Sequence, residues 1–347
     1  KKITQTFKNH PNIIVVEKFG GDKSTGIPGP KVLQNTQQLG FNDVPSDTGG
    51  IVRRGLLFLD DGENYYFSFP LRLALLYLQT EGIFPQPGDP DQSHLKLGDV
   101  TIKPFEHNFG GYINADSAGY QFMLDFKGGA MPFETITLTQ VLDKTYDSSL
   151  IEDRIVIIGV DAESVKDSFF SPYSSDLGED KGISGPALHS HIASQLIRMA
   201  KFGDQPIQSL SDNQELYWIM LWCLIGAIIG IWIRSAVYFS ILSLTGIFVL
   251  AATNYVGFSF GYWIPLAPSV IGWLTSVSVT TAYISYFENS QKNQLMHIFE
   301  KYVSCEVADT IWNNKDLLLD DGRLQSKKLV ASVFFTDLQG FTAVSEE

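Results

Sequence analysis

Three long apolar runs between residues 216 and 287 constrain this chain more than any other feature. They cover residues 216–233, 236–256 and 262–287, and they contain no Asp, Glu, Lys or Arg. At ~1.5 Å per residue in an α-helix the runs reach about 27 to 39 Å, against about 30 Å of hydrocarbon in a lipid bilayer. The sequence therefore predicts a multidomain membrane protein with three transmembrane helices.

The one charged residue between the first two runs predicts the orientation. Arg234 follows the first run, and the stretch between the second and third runs carries no charge. Short loops rich in Lys and Arg tend to face the cytoplasm. We therefore expect residues 1–214 to be extracytoplasmic and residues 288–347 to be cytoplasmic, in a multi-pass protein of the cell inner (plasma) membrane.

Two glycines in the first run, Gly226 and Gly230, form a GxxxG pattern. Such a pattern lets two helix backbones approach closely in a membrane. Glycine is also an ordinary residue of membrane helices, so the pattern leaves both interpretations open.

Residues 1–214 alternate between strand-like and helix-like stretches, which predicts an α/β domain with a central sheet. Its strand-like stretches are short, apolar and rich in Ile, Val, Phe and Tyr, and they lie at residues 12–19, 53–59, 120–126 and 154–160. The helix-like stretches have apolar residues at helical spacing and lie at residues 68–79, 137–144 and 185–201.

The same region offers little that points to catalysis. It holds 18 Lys and Arg against 27 Asp and Glu, an acidic balance that argues against nucleic acid as a partner. The segment "GGDKSTG" at 20–26 lacks the Gly-Lys-Ser/Thr ending of a phosphate loop, so we interpret it as an ordinary loop. His189 and His191 are two positions apart, which on a helix turns them about 200° away from each other. We therefore expect structural or surface roles for both histidines and no joint metal site.

Several stretches of the region resemble the second class of CHASE-type extracellular sensors. They are "HPNIIVVEKF", "LGFNDVPSDTGGIVRRGLLFL", "DFKGGAMPFETITLTQVL", "LIEDRIVIIGVDAESVKDSFFSPYS" and "GISGPALHSHIASQLI". The resemblance implies an extracytoplasmic sensor followed by three spans and a cytoplasmic output, and its ligand stays unknown. This family usually has a further N-terminal stretch with its own membrane span, so we expect the chain to be a piece of a longer protein, truncated at both ends.

The helical pattern continues after the third run, and we interpret residues 288–325 as transducing helices and a turn. Leu295, Ile298, Phe299, Tyr302 and Val303 form a short apolar stripe at helical spacing. A dimer contact and an intramolecular packing face explain this stripe equally well. His297 lacks the neighbouring acid that a histidine-kinase phosphoacceptor helix has, which disfavours that type of output.

The last predicted domain covers residues 326–347 and begins with the buried strand "LVASVFFTDL". Asp337 ends this strand, Gly340 allows a close backbone approach, and Thr342 is placed to cap a following helix. A carboxylate at a strand end beside helix-start amides suits a divalent cation together with a polyphosphate. From the spacing alone, a turn cap is the better interpretation of Asp337.

The stretches "FEKYVSCEVADTIW" and "VASVFFTDLQGFTAVSEE" resemble the entry of class III nucleotide cyclases, whose catalytic domain has an α/β, ferredoxin-like fold. The resemblance implies that Asp337 is the first of two metal-binding aspartates and that the Leu338 carbonyl can join the metal shell. It also implies that the amides around Gly340, Phe341 and Thr342 contact the triphosphate. Two Mg²⁺ or Mn²⁺ ions per site are expected.

These observations together predict a receptor-type adenylate cyclase. An unknown extracytoplasmic signal would control the conversion of ATP to 3',5'-cyclic AMP and pyrophosphate in a homodimeric cytoplasmic domain. The sequence does not decide between ATP and GTP. The alternative is a non-catalytic membrane sensor or scaffold whose cyclase site is degenerate or missing.

Overall fold

The computed structural model describes most of the chain up to residue 299 and a few short pieces beyond it. The described residues are 2–19, 26–60, 62–89, 94–161, 165, 167–174, 182–233, 235–299, 319–320, 323–324 and 334.

Seven helices and fourteen short strands lie within these residues. The helices are α1 Lys2–Asn9, α2 Phe69–Thr80, α3 Leu138–Asp143, α4 Gly185–Phe202, α5 Asp212–Trp232, α6 Ala236–Ser259 and α7 Leu266–Phe299. The strands are β1 Val15–Glu17, β2 Leu39–Phe41, β3 Arg54–Asp60, β4 Tyr65–Phe67, β5 Gln86–Pro87, β6 Leu95–Leu97, β7 Val100–Ile102, β8 Tyr120–Met123, β9 Ser168–Phe169, β10 Ile183–Ser184, β11 Gln208–Ser209, β12 Tyr262–Trp263, β13 Leu319–Asp320 and β14 Arg323–Leu324.

The N-terminal domain mixes helices with small sheets instead of one central sheet, so the prediction of a central sheet was wrong for the described residues. The two largest sheets have three strands each, in the orders β4-β3-β8 and β5-β6-β7, and all their pairings are antiparallel. β1 pairs with β2 in parallel, and β10 pairs with β9. Most of these strands have only two or three residues, so they offer too few backbone groups to extend one continuous ladder.

The core of this domain lies where α2 and α4 pack on each other and on the β3 and β8 strands. Its fully buried side chains include Leu57 of β3, Leu78 of α2, Phe122 of β8 and Leu188 of α4. Gln195 of α4 is buried too, and its amide nitrogen donates to the Met123 carbonyl at 3.1 Å. The two long helices were therefore predicted correctly, and their apolar stripes face this core.

Local sequence signals set the ends of these helices. The Ser68 hydroxyl accepts a hydrogen bond from the Leu71 amide, which caps the start of α2. Gly203 ends α4 with a φ of 73°, a left-handed conformation that glycine adopts without steric cost. In α3, Thr137 and Gln140 form a reciprocal capping box.

One predicted strand, residues 154–160, is wrong. The segment is in no strand, and the side chain of Ile158 is 94% exposed. Its Ile and Val content gives it strand propensity, but a strand is stabilised by pairing with a neighbour. No strand among the described residues pairs with this segment.

Three described helices are long and apolar enough to cross a membrane, namely α5, α6 and residues 266–294 of α7. The predicted spans 216–233 and 236–256 correspond to α5 and α6. The third prediction placed the start at residue 262, which was wrong, because Tyr262 and Trp263 form β12 and the helix begins at Leu266. Pro265 lies directly before this helix and Pro268 in its first turn, where an amide donor is not needed.

The GxxxG glycines of α5 pack against α7. A Cβ atom built on Gly226 would come within 3.1 Å of the Trp273 carbonyl oxygen, and one on Gly230 within 2.9 Å of the Thr280 Cβ. The Ser276 hydroxyl also donates to the Cys223 carbonyl at 2.5 Å. Of the two interpretations left open by the sequence, the helix-packing face is therefore confirmed.

α6 packs on α7 around a buried tryptophan. The Trp273 side chain is only 2% exposed, and its indole lies where a Cβ on Gly246 would be. The indole nitrogen donates to the Ser243 carbonyl at 3.4 Å. α7 thus contacts both other candidate membrane helices of the described residues, α5 and α6.

Candidate functional site

The residues predicted for the nucleotide site lie outside the described part of the chain. These residues are Asp337, Leu338, Gly340, Phe341 and Thr342. Their predicted roles therefore stay predictions. The same holds for Arg234 and for the side chains of the apolar stripe, namely Leu295, Ile298, Phe299, Tyr302 and Val303.

Both histidines of α4 are buried in the core of the N-terminal domain. His189 lies edge-to-face against Phe69 with 5.6 Å between the ring centroids, and burial lowers its pKa to about 4. His191 packs between Phe126 and Phe133, and burial lowers its pKa too, although its contact with the Ala130 carbonyl opposes the shift. Within the described residues no group of three or more His, Cys, Asp or Glu could hold a metal ion. The expected structural role of both histidines is confirmed.

The N-terminal domain is joined to the membrane helices by a backbone pairing. The exit linker, residues 203–211, leads from α4 to α5, and the α6–α7 loop is residues 260–265. Within them β11 pairs in parallel with β12, with Gln208 opposite Tyr262 and Ser209 opposite Trp263. The Gln208 amide also donates to the Gly261 carbonyl at 2.8 Å. The linker before the first span is thus fixed to the loop before the third.

Trp263 of the α6–α7 loop lies against the β7–β8 loop, residues 103–119. A Cβ atom on Gly110 would come within 2.8 Å of the indole, and one on Gly111 within 2.9 Å. Tyr112 contacts the same indole edge-to-face, with 5.7 Å between ring centroids. The indole sits over two consecutive glycines because any larger side chain there would collide with it.

Tyr112 extends this contact to a buried ion-pair network around Asp47. The Tyr112 hydroxyl donates to the Asp47 carboxylate at 2.6 Å. Arg53 pairs with the same carboxylate at 2.8 Å, and Arg54 pairs with it at 2.9 Å. The side chains of Asp47 and Arg54 are only 7% and 4% exposed. Solvent screens such a pair far less than a surface ion pair.

The electrostatics of this network hold Asp47 in its charged form. Burial raises the pKa of Asp47, but the hydrogen bonds from Tyr112 and Arg53 and the charge of Arg54 outweigh burial, so its pKa lies below the usual value. Burial, followed by the bond to Asp47, raises the pKa of Tyr112 well above its usual range. Tyr112 therefore stays a protonated donor at all physiological pH values.

Arg54 links the network to the sheet and to aromatic rings. Its guanidinium donates to the Gln121 side chain at 2.8 Å and to the Asp116 carbonyl at 2.6 Å. It also lies over the Phe105 ring, 4.8 Å from the centroid. β3 and the β7–β8 loop are therefore tied together at the same place where Trp263 contacts that loop.

A second network fixes the start of the exit linker. Arg198 of α4 pairs with Asp125, which follows β8, and with Asp204 of the linker, both at 2.6 Å. Lys127 pairs with Asp204 at 3.1 Å. The bond from Lys127 lowers the pKa of Asp204, burial opposes the shift, and Arg198 lowers it further. The exit linker thus begins at ion pairs to α4 and to the segment that follows β8.

A cavity of about 320 Å³ lies between the β7–β8 loop and the exit linker, and Tyr262 also lines it. Lys103, Phe105, Glu106 and Phe109 line it from the loop, and Ser211 lines it from the linker. This junction, made of the β11–β12 pair, the Trp263 contact and the cavity, is the candidate functional site.

Sequence reasoning missed this junction. Its local signals in the sequence are weak, namely the glycine pair at 110–111 and the aromatic pair at 262–263. The aromatic pair is as typical of the start of a membrane span as of a junction contact. The contacts join residues about 150 positions apart, which no local periodicity reports.

Comparison with known proteins identifies the N-terminal part of the chain. The family model of the CHASE2 domain matches residues 1–228, which include the N-terminal domain, the exit linker and most of α5. Comparison with the curated proteins and with the solved structures found no match. The match covers more than half of the chain and agrees with the resemblance in the sequence, so this chain belongs to the CHASE2 domain family of extracytoplasmic sensor domains.

Proposed function

We propose that this protein is a transmembrane receptor whose CHASE2 domain passes a signal through the junction to α7. The observation that carries the proposal is the contact of Trp263 with the β7–β8 loop three residues before α7 begins. A change in the sensor domain that shifts this loop moves the start of α7 directly. Two residues, Ile264 and Pro265, separate the contact from the helix.

α7 is long enough to carry such a movement across the membrane. It has 34 residues, which correspond to about 51 Å at ~1.5 Å per residue, against about 30 Å of hydrocarbon. Its packing on α5 and α6 through Gly230 and Trp273 makes the three helices one unit. A rotation or a shift of α7 therefore reaches its C-terminal end at Phe299.

For the output we propose a class III nucleotide cyclase, with ATP as substrate and cyclic AMP and pyrophosphate as products. The support is the resemblance of the residues around Asp337 to the entry of that family. Asp337 and the Leu338 carbonyl would hold Mg²⁺ or Mn²⁺, which when bound polarises phosphate oxygens. The amides around Gly340, Phe341 and Thr342 would position the triphosphate. The site forms between two catalytic domains in this proposal, so the active receptor is a homodimer in the inner membrane.

The proposed output is tested by cyclic nucleotide formation in membranes that contain the protein in its natural full length. With ATP and Mg²⁺ or Mn²⁺ we expect cyclic AMP, and a parallel reaction with GTP decides the base preference. Asp337→Ala should lower the rate at least about 100-fold, because electrostatic stabilisation of the transition state is lost. Asp316→Ala, an acid on the same side of the membrane, is the matched control.

Activity that survives Asp337→Ala would overturn the assignment of this residue. If neither nucleotide is converted, the non-catalytic sensor or scaffold becomes the better account. The junction contacts are expected in both cases, because they depend on the CHASE2 domain and on the membrane helices alone.

A further inference from the structure

The cavity at the junction has the size and position of a ligand site. Its volume of about 320 Å³ lies at the small end of the ~300–1,000 Å³ that ligand pockets have. One wall belongs to the β7–β8 loop and the other to the exit linker, and Tyr262 of the α6–α7 loop contributes a third side. A molecule in this cavity touches the β7–β8 loop of the sensor domain, the exit linker and the α6–α7 loop.

Two opposite charges on the same wall indicate the kind of ligand. Lys103 and Glu106 both line the cavity, both are exposed, and neither forms an ion pair within the described part of the chain. They are three positions apart in the sequence, so their Cα atoms are at most about 10 Å apart. A ligand with one charge would pair with one of them and be repelled by the other, whereas a zwitterion pairs with both.

Aromatic rings supply the rest of the wall. Phe105 and Phe109 lie 5.2 Å apart between ring centroids, and Tyr262 lines the same cavity. Such rings bury an apolar side chain, and the guanidinium of Arg54 already lies over the Phe105 ring, 4.8 Å from its centroid. The Ser211 hydroxyl adds a hydrogen-bonding group at the entrance of α5.

We propose that this cavity binds a small zwitterion with an apolar body, of the size of an amino acid. Lys103 pairs with the anionic group, Glu106 with the ammonium group, and Phe105, Phe109 and Tyr262 enclose the apolar part. The same pair of opposite charges is found in a free amino acid and in the phosphoethanolamine headgroup of a phospholipid. The role of this ligand as a signal rests on the proposed receptor function, whereas its binding does not.

The binding experiment uses the whole chain in nanodiscs made of phosphatidylglycerol, which carries no zwitterionic headgroup. Isothermal titration calorimetry measures a panel of L-amino acids, with L-phenylalanine first, and glycerophosphoethanolamine. For L-phenylalanine the matched analogues are phenethylamine, which lacks the carboxylate, and phenylpropanoate, which lacks the ammonium group. We expect saturable binding of a zwitterion and at least about tenfold weaker binding of each analogue, since each loses one charge-assisted contact.

Two variants locate the site. Lys103→Met and Glu106→Gln should each weaken zwitterion binding about tenfold or more while leaving the unfolding midpoint unchanged, because both side chains are exposed. Lys8→Met and Glu134→Gln are controls at exposed positions away from the cavity and should bind normally. Repeating the titration in phosphatidylethanolamine nanodiscs separates the sources, because a headgroup that fills the site will abolish binding of the free ligand.

The proposal is wrong if no zwitterion of the panel binds, if the single-charge analogues bind as tightly, or if the two cavity variants bind like the wild type. None of these readouts uses the cytoplasmic output. Failure of the cyclase assay therefore leaves the binding result intact, and failure of binding leaves the cyclase assignment intact.

Discussion

The indole of Trp263, three residues before the last membrane helix, lies edge-to-face against the ring of Tyr112 in the sensor domain, with 5.7 Å between their centroids. Tyr112 in turn donates its hydroxyl to the buried Asp47 carboxylate at 2.6 Å. A side chain of the α6–α7 loop thus rests on a residue that belongs to the charged core of the CHASE2 domain. The predictions below probe this contact and its supports.

The glycines beneath Trp263 should not tolerate a side chain. Gly110→Ala places a Cβ about 2.8 Å from the indole of Trp263. We expect this substitution to displace the indole and to lower the stability of the folded chain by about 1–3 kcal/mol. Amide hydrogen exchange should become faster at Ser209 and Trp263, because the β11–β12 pair loses its support.

The control for this substitution is Gly82→Ala. Gly82 has a φ of 75° and nothing within 4 Å of a built Cβ, whereas the φ of Gly110 is 58°. Both changes carry the strain of a left-handed alanine, so the difference between them reports the contact with Trp263 alone. Equal exchange rates in the two variants would contradict the proposed contact.

Asp47→Asn should be strongly destabilising. It leaves the Arg54 guanidinium, 4% exposed, without its counter-charge, and breaking one side of a buried pair costs about 3–5 kcal/mol. Tyr112→Phe removes one hydrogen bond to Asp47 and should cost about 1–2 kcal/mol. Unfolding midpoints of the chain in nanodiscs measure both effects.

The pH dependence of the Asp47 effect follows from its lowered pKa. The carboxylate contributes stability at pH values above about 3.9, its usual value in the unfolded chain, and this contribution is lost as the pH falls towards the lower pKa of the folded state. The wild type and Asp47→Asn should therefore converge in stability only below about pH 4. A difference that already disappears near pH 6 would contradict this account of the network.

The sensor domain should lose stability in mild acid because of its buried histidines. The pKa of His189 is about 4 in the folded chain, against about 6.5 when exposed to water. Above pH 6.5 both states are neutral there, so pH has no effect through this group. Between pH 6.5 and 4 the unfolded chain binds a proton at this histidine that the folded chain does not bind. The free energy of unfolding therefore falls by roughly 3 kcal/mol over this range.

His189→Gln should flatten the fall of the unfolding midpoint between pH 6.5 and 4. His191, whose pKa is also lowered by burial, should leave a smaller slope in this variant. His10→Gln, at an exposed position of the same domain, should keep the full slope of the wild type. Identical pH profiles for all three chains would show that the imidazole of His189 is not buried as described.

The packing of α5 on α7 should be sensitive to side-chain size at one glycine. Even a Cβ alone on Gly230 would lie 2.9 Å from the Thr280 Cβ, and Gly230→Val adds two further methyl groups. We therefore expect a loss of stability of about 1–3 kcal/mol and separation of the two helices. Ala251→Val, at an exposed position of α6, is the control and should be close to neutral. Unfolding in detergent, followed by the total tryptophan fluorescence of the chain, to which Trp222 and Trp273 of the α5–α7 contact contribute, measures both. Equal losses would mean that Gly230 is not at a helix contact.

The sequence predicted those elements whose signal is local. α2 and α4 each have a serine at the N-cap position, a proline in the first turn and apolar residues at helical spacing, although only Ser68 of α2 forms a side-chain cap bond. The membrane helices follow from length and apolarity alone. Residues 154–160 show the limit of such reasoning, because Ile and Val content predicts a strand but the ladder partner decides whether one forms.

The junction could not be predicted for a related reason. In the sequence, Tyr262 and Trp263 are typical of the first residues of a membrane span with aromatic ends. Their pairing with Gln208 and Ser209 depends instead on how the sensor domain packs against the membrane helices. Asp47 and Tyr112 are likewise 65 positions apart. The Asp337 motif is the opposite case, since its residues are recognisable in the sequence but lie outside the described structure.

The most direct test of the account is a disulfide between the exit linker and the α6–α7 loop. Gln208 and Tyr262 are neighbours in the β11–β12 pair, and adjacent strands lie about 4.8 Å apart, within the ~4.4–6.8 Å that a disulfide bridges. In a chain carrying Cys223→Ala and Cys305→Ala, the pair Gln208→Cys and Tyr262→Cys is oxidised in membranes and then treated with maleimide–polyethylene glycol.

The pair Gln208→Cys and Tyr238→Cys, whose second position lies near the opposite end of α6, is the control. We expect the first pair to form a disulfide and lose both gel shifts, while the control keeps them; two free thiols in the first pair would contradict the coupling of the CHASE2 domain to α7.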